Sequence, residues 1–132
     1  MAKYRTDLPQ QNGGMFLMDS GMETTLIFHN GIDLPCFAAF DLLRTAGGKE
    51  TLRQYYQTHV AIAQKDSVGF VLESATWRAS SDWGAKLGYS REALAAANEE
   101  AVELLAEVRD EFEGPDNPIV ICGSMGPRGD GY

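Results

Sequence analysis

Residues 68–74 read VGFVLES, and this stretch is the clearest guide to the fold of the chain. Its apolar residues, 68–72, run almost without interruption and end in a glutamate and a serine. Similar runs occur as MFLM followed by DSG at residues 15–21, and as PIVIC followed by GS at residues 118–124. Continuous apolar runs of this length are typical of strands covered on both faces, as in a parallel sheet. We therefore predict three buried strands, each followed by a polar or glycine-containing turn.

Longer helical patterns separate these strands. A helix is predicted from Lys49 to about Lys65, because apolar residues recur there every three or four positions. A second helix is predicted to follow Ser90, a residue type favoured at the N-cap, and to end at Gly114-Pro115. The predicted buried stripe of the first helix is Leu52, Tyr56, Val60 and Ala63. The predicted buried face of the second is Leu94, Ala97, Ala101, Leu104, Leu105, Val108 and Phe112.

The predicted order of elements is β-α-β-α-β, with an extra helical loop after the first strand. This order indicates an α/β fold with a parallel sheet, and it fits either a doubly wound sheet or part of a barrel. Gly47-Gly48 and residues 114–118 are predicted to be connectors within one domain. Residues 1–14 are predicted to form a polar N-terminal arm, and residues 15–132 the α/β domain.

The composition excludes several classes of partner. The 132 residues include 11 Lys and Arg against 19 Asp and Glu, for a net charge of -8. Such a surface repels phosphate backbones and anionic lipids, so neither nucleic acid nor a membrane is an expected partner. No run approaches the roughly 18 apolar residues of a membrane helix, and residues 1–14 lack the apolar core of a secretory signal. A cytoplasmic location is therefore expected.

Polar side chains follow each predicted strand, at residues 19–21, 73–76 and 123–126. Because the carboxyl ends of parallel strands form the ligand-binding edge of α/β folds, we expect these side chains to line one pocket. Asp19 and Ser20 have an alternative role, which is to cap the turn after the first strand.

Four motifs in order resemble the homocysteine S-methyltransferase family. FLMDSGMETTL at residues 16–26 resembles the family's opening strand and loop, usually written LDGGMGTEL. LPCFAA at residues 34–39 is similar to the proline-containing segment before its first long helix. VLESATWRAS at residues 71–80 is similar to the second-strand motif VITTNTYQAS, and ICGSMGP at residues 121–127 to a third-strand pattern ending in GSxGP.

This resemblance implies a TIM (β/α)8 barrel, of which the chain would hold about three of the eight strands. Family members transfer a methyl group from donors such as betaine, S-methylmethionine or methyltetrahydrofolate to the thiol of homocysteine. In the family, a zinc ion held by three cysteine thiolates binds the substrate sulfur, and metal coordination deprotonates a thiol. Those cysteines come from later strands. We therefore expect no metal ligand and no catalytic residue in this chain, which is expected to be inactive by itself.

The two cysteines of the chain, Cys36 and Cys122, match no zinc ligand of the family. Free thiols are expected, because nothing else in the sequence indicates an oxidising compartment. Cys122 lies within the third apolar run and is predicted to be a buried structural thiol.

The resemblance also assigns roles to single residues. Asp19 matches the aspartate that helps to hold the amino-acid end of homocysteine, and Gly21 matches a glycine that lets the ligand approach the backbone. Ser74 and Thr76 fall on threonines that line the same pocket, and Trp77 falls on an aromatic residue at the donor side. The predicted substrate-binding residues are Asp19, Ser20, Gly21, Glu73, Ser74, Thr76 and Trp77.

Three residues depart from the family pattern, namely Ser20, Glu23 and Glu73. Glu73 places a carboxylate where the family usually has threonine or glutamine. It is expected either to pair with the ammonium group of a substrate or to form a salt bridge with a neighbour such as Arg78.

The expected partners are a small amino-acid substrate and a methyl donor. Because a partial barrel exposes two sheet edges, we also expect self-association or pairing with the missing half of the barrel. Two other functions remain open at this level. One is a non-catalytic binding module that keeps the rim of the pocket. The other is a doubly wound enzyme that uses Asp19 and Glu73 as acid and base.

Overall fold

The computed structural model describes residues 3–131, in which a three-stranded parallel sheet is the central element. The strands are β1 (Phe16–Met18), β2 (Gly69–Glu73) and β3 (Ile119–Cys122), in the order β1-β2-β3. Leu17 lies opposite Phe70, and Phe70 lies opposite Ile119. The predicted α/β class with a parallel sheet is therefore confirmed, and each strand begins one residue later than predicted.

Helices occupy most of the chain between the strands. They are α1 (Met22–Thr24), α2 (Ala46–Lys65), α3 (Ser81–Lys86) and α4 (Arg91–Phe112). The predicted helical loop after the first strand is confirmed, since α1 continues into a π-helical turn, Thr25–His29. Shorter 3-10 segments are Pro9–Asn12, Pro35–Phe37 and Ala39–Arg44.

The helix α4 begins and ends where the sequence predicts. The Ala93 N–H donates to the Ser90 hydroxyl oxygen at 3.1 Å, as expected of an N-cap serine. The helix ends at Phe112, before Gly114-Pro115. The centre of its predicted face is buried, whereas Leu94 and Phe112 at the two ends of that face are only partly covered.

The start of α2 corrects one prediction. Gly47 and Gly48, predicted as a connector, lie in the first turn of the helix. The helix begins earlier because Thr45 is its N-cap and accepts a hydrogen bond from the Gly48 N–H at 3.0 Å. A Cβ at Gly48 would lie 2.1 Å from the Leu42 carbonyl oxygen, so the glycine is needed for close packing rather than for a flexible link.

The short helix α3 was not predicted. Its six residues are too few to show an apolar stripe, and Gly84 lowers the intrinsic helix propensity. Tertiary contacts stabilise it instead, because Trp83 is buried and its indole N–H donates to the Gly129 carbonyl oxygen at 3.1 Å.

The two faces of the sheet are covered differently. Successive parallel strands joined by right-handed crossovers place α2 and α4 on the same face. There the two helices contact each other, and Arg53 forms an ion pair with Glu111 at 2.9 Å. Phe70, Leu72 and Ile119 are at most 2% exposed and form the sheet side of the core. Other large, fully buried side chains include Tyr56, Phe40, Leu26, Leu52, Leu104 and Leu105.

The opposite face explains two wrong predictions. Met18, predicted to be buried in the first strand, is 55% exposed, and Met15 before it is 69% exposed. Cys122, predicted to be a buried thiol, is exposed, although both cysteines are free as expected. Side chains alternate between the two faces of a strand, so Met18 and Cys122 point away from the helices. No layer of residues 3–131 covers them there.

Among residues 3–131, no helix combines the length and the apolar character that crossing a membrane requires.

Candidate functional site

A cavity of about 230 Å³ opens at the carboxyl ends of the strands. Its wall comes from the segment after β1, the end of β2 and the loop after β3. This edge of the sheet is where α/β folds with parallel strands place their ligands. The cavity is lined by residues 19–24, Phe37, residues 73–75, Trp77 and Ser124.

All predicted substrate-binding residues except Thr76 line this cavity. Asp19, Ser20 and Gly21 lie where the chain turns from β1 into α1. The φ angle of Gly21 is 71°, a left-handed conformation that glycine adopts without the steric cost of a Cβ. The expected convergence of polar side chains from the strand ends on one cavity is therefore seen, and their role in substrate binding stays a prediction.

Thr76 lies behind the wall, where it joins a closed hydrogen-bond network. The Thr76 hydroxyl donates to the Ser124 carbonyl oxygen at 2.7 Å. Since its single proton is used there, the Ser74 hydroxyl must donate in the 2.7 Å contact between the two side chains. The Ser124 N–H in turn donates to the Ser74 oxygen at 3.0 Å. Ser74 and Thr76 thus tie the end of β2 to the loop after β3, and both hydroxyl protons are already used.

Two adjacent tyrosines of α2 hold the other parts of the wall. The Tyr55 hydroxyl donates to Oδ2 of Asp19 at 2.8 Å. The Tyr56 hydroxyl donates to the backbone carbonyl oxygen of Glu73 at 3.1 Å. The second carboxylate oxygen of Asp19, Oδ1, is buried and has no hydrogen-bond partner among residues 3–131. An unsatisfied acceptor of this kind costs about 1–3 kcal/mol.

The cavity has a strongly negative lining. Asp19, Glu23 and Glu73 all line it, whereas no Lys, Arg or His of residues 3–131 does. Burial raises the pKa of Glu23 above its ordinary value of 4.5, and the charges of Asp19 and Glu73 raise it further. Like charges held this close favour a cationic ligand.

Two aromatic side chains complete the wall. Phe37 and Trp77 meet edge to face, with their ring centroids 6.5 Å apart. The guanidinium of Arg78 lies 4.3 Å from the Trp77 ring centroid and 3.9 Å from that of Trp83. Aromatic faces beside carboxylates are suited to a cation whose charge is spread over methyl groups.

The possible salt bridge between Glu73 and Arg78 does not form. The Arg78 side chain is only 6% exposed, and its ion-pair partner is Asp130, at 3.1 Å. Glu73 therefore lines the cavity without an ion pair to Arg78. Arg78 instead holds the loop after β3 through Asp130 and the Gly129 carbonyl oxygen.

The sequence did not identify every residue of the site. Glu23 departs from the family pattern, but the sequence does not predict that it lines the pocket. Tyr56 belongs to the predicted apolar stripe of α2, and Tyr55 has no predicted role. The signal was present in the pair itself, because consecutive tyrosines on a buried helix bring two hydroxyls that need partners.

The side chains around the cavity do not fit a zinc ion held by thiolates. Among residues 3–131, no group of three or more His, Cys, Asp and Glu side chains is placed to hold a metal. The acidic groups that line the cavity are carboxylates, whereas the family's zinc ion takes sulfur ligands. These residues therefore do not form the thiolate zinc site of the family.

Comparison with known families gives one match. The family model described as homocysteine S-methyltransferase matches residues 16–132, a range that includes all three strands and the entire lining of the cavity. No curated protein and no solved structure matches the chain.

Proposed function

Because the chain belongs to the homocysteine S-methyltransferase family, we propose that its cavity binds the amino-acid part of homocysteine or of a related thiol or selenol amino acid. The reaction of the whole enzyme is methyl transfer from a small donor to that thiol. A sulfur–carbon bond forms, the bond between the methyl group and the donor breaks, and the thiol proton is released.

The observation that carries this proposal is the negative lining of the cavity, to which Asp19 contributes at the end of β1. An α-ammonium group supplies three N–H donors and a positive charge, so it is suited to the carboxylates of this wall. Glu73 and Glu23 lie on the same wall and add to the attraction. Charge-assisted hydrogen bonds of this type are the strong ones in proteins.

The same wall favours a donor that carries its methyl group on a positively charged atom, such as a sulfonium or quaternary ammonium ion. Trp77 and Phe37 offer aromatic surface beside Glu23 and Glu73. Choline and its neutral carbon analogue 3,3-dimethylbutanol make a matched pair of probes for this preference. We expect choline to bind more tightly, and Trp77→Leu to reduce the difference. Equal binding of the two probes would exclude an onium donor at this wall.

We further propose that β1, β2 and β3 are the first strands of a (β/α)8 barrel, and that residues 1–132 bind substrate without turning it over. The family's zinc would supply a thiolate at neutral pH, and the residues described here do not fit that metal. Methyl transfer by the isolated chain would contradict this proposal. Binding without turnover is also what a non-catalytic binding module would give.

In residues 3–131, no further strand pairs with the outer edge of β1 or of β3. Unpaired strand edges and an exposed apolar face promote pairing, so we propose self-association or pairing with the remainder of the barrel. Light scattering on the purified chain would detect the first. If the chain is a monomer at high concentration, self-association is excluded and pairing with the remaining strands of the barrel is the proposal that stands.

Calorimetric titration with L-homocysteine tests the proposed function. The matched ligand is 4-mercaptobutanoate, which lacks the ammonium group, and the matched variants are Asp19→Asn and Asp33→Asn. Asp33 is an exposed carboxylate outside the cavity lining. We expect loss of the ammonium or of the Asp19 charge to weaken binding about 10–100-fold, and Asp33→Asn to have no effect. Equal binding of both ligands, or no binding of homocysteine, would overturn the proposal.

A further inference from the structure

Tyr55 is held rigidly beside the cavity, although it is not part of the lining. It is only 5% exposed, and its ring packs against Tyr56 with centroids 5.8 Å apart and against His59 at 4.4 Å. Nδ1 of His59 lies 2.9 Å from the Tyr55 carbonyl oxygen, which fixes the His59 ring beside Tyr55. The hydroxyl of Tyr55 therefore has little freedom to choose another partner.

That partner is Asp19. The contact places the two oxygens of the Asp19 carboxylate in different surroundings. Oδ2 accepts the Tyr55 hydroxyl at 2.8 Å, whereas Oδ1 has no partner among residues 3–131. A carboxylate on a short side chain can rotate about two bonds, so a fixed donor on one oxygen also sets the direction of the other.

The Tyr55 hydroxyl remains a donor over the whole working range of pH. Burial raises the pKa of Tyr55 well above its ordinary value of 10.0, and the hydrogen bond to Asp19 raises it further. Its proton therefore stays between the two side chains, and Oδ2 of Asp19 keeps this hydrogen-bond donor.

We propose that Tyr55 is a positioning residue, which holds the Asp19 carboxylate at the wall of the cavity in the orientation that receives the substrate ammonium group. This inference rests on the proposed function of the cavity. It assigns to α2 a role in ligand recognition that is distinct from its packing against the sheet.

The chain offers a matched control for the loss of one tyrosine hydroxyl. The Tyr89 hydroxyl donates to Asp41 at 2.9 Å, which is the same type of contact outside the cavity. Tyr55→Phe and Tyr89→Phe each remove one such hydrogen bond and keep the ring, so both variants should fold.

The test combines ligand affinity with the conformation of Asp19. We expect Tyr55→Phe to raise the Kd for L-homocysteine about tenfold and Tyr89→Phe to leave it unchanged. In the Asp19→Asn background, Tyr55→Phe should cause no additional loss, because the two residues act as one unit. Three-bond couplings between Hα and Hβ of Asp19 should report one rotamer in the wild type and an average of rotamers in Tyr55→Phe.

A role in folding alone would lower the thermal midpoint of Tyr55→Phe without averaging the Asp19 rotamer. An unchanged rotamer together with wild-type affinity would overturn the inference. If the wild-type chain does not bind homocysteine, the proposed function fails and the couplings still decide the positioning role. Averaged couplings in Tyr55→Phe would then support it, and a single rotamer would overturn it.

Discussion

Glu23 lies on the wall of the cavity together with two other carboxylates, and its ionisation is coupled to the stability of the chain. Burial is the largest cause of its raised pKa, and the charges of Asp19 and Glu73 add to it. The folded state therefore binds the Glu23 proton more tightly than the unfolded state does. The stability linked to this proton is fully present below the ordinary pKa of 4.5 and is lost as the pH rises through the raised value.

Glu23→Gln should reveal this linkage, because glutamine cannot ionise. We expect the free energy of unfolding of the variant to rise relative to the wild type as the pH goes from about 4 to about 7. Urea unfolding at several pH values measures the difference. Glu103→Gln, on the exposed side of α4, is the matched control and should show no such trend. A constant difference for Glu23→Gln across this range would contradict the account.

The residues of the site differ in how far the sequence could predict them. Asp19 and Glu73 stand directly at the ends of apolar runs, so their positions followed from the alternation of strands and helices. The contact between Tyr55 and Asp19 could not be predicted, because it joins residues 36 positions apart through the packing of α2 on the sheet. Thr76 was placed at the right strand end, but the direction of its hydroxyl depends on the loop after β3.

At the level of elements, close packing at glycines fixes where helices and loops lie. Gly48 allows the start of α2 to contact the 3-10 segment Ala39–Arg44, since a Cβ would lie 2.1 Å from the Leu42 carbonyl oxygen. Its neighbour Gly47 has nothing within 4 Å of the position of a Cβ. A Cβ would therefore overlap its surroundings at Gly48 but not at the adjacent Gly47.

Alanine substitutions should separate these two glycines. Gly48→Ala is expected to destabilise the chain by about 1–3 kcal/mol, because the backbone must move to relieve the overlap. Gly47→Ala should be neutral or should stabilise the chain by up to about 1 kcal/mol, because alanine is the better helix former. Urea unfolding of both variants is the measurement. An equal effect of the two substitutions would show that Leu42 does not restrict the start of α2.

The loop after β3 contains a second pair of glycines with different surroundings. A Cβ at Gly126 would lie 2.2 Å from the Trp77 carbonyl oxygen, whereas Gly123 has nothing within 4 Å. We expect Gly126→Ala to move the loop away from Trp77, to change the tryptophan emission and to weaken homocysteine binding. Gly123→Ala should leave both the emission and the affinity unchanged. Wild-type behaviour of Gly126→Ala would mean that the loop does not depend on this contact.

The elements that the sequence predicted well are those with a long periodic pattern. The helix α4 and the three strands fall into this group, because each depends on a local signal that the fold does not override. No long periodic pattern predicts the start of α2 or the helix α3. The start of α2 depends on a threonine cap, and α3 depends on the packing of Trp83 against the loop after β3.

At the scale of the whole molecule, helices cover one face of the sheet, and residues 3–131 leave Met18 and Cys122 exposed on the other face. The apolar runs predicted strands buried on both faces, and Met18 and Cys122 contradict this on that other face. An apolar run predicts that a strand can be buried on both faces. The exposure of each of its side chains depends on which layers of the protein cover those faces. A barrel made by further strands would enclose this face, which is why we propose that it pairs with them.

We propose that the cavity at the strand ends recognises the ammonium group of a homocysteine-like amino acid. The most direct measurement is a titration of the ¹⁵N-labelled chain with L-homocysteine, followed by the shifts of assigned backbone amides. We expect saturable shifts concentrated at residues 19–24, 73–77 and 124, and far weaker shifts with 4-mercaptobutanoate. Shifts that lie elsewhere, or that are the same for both ligands, would contradict this proposal.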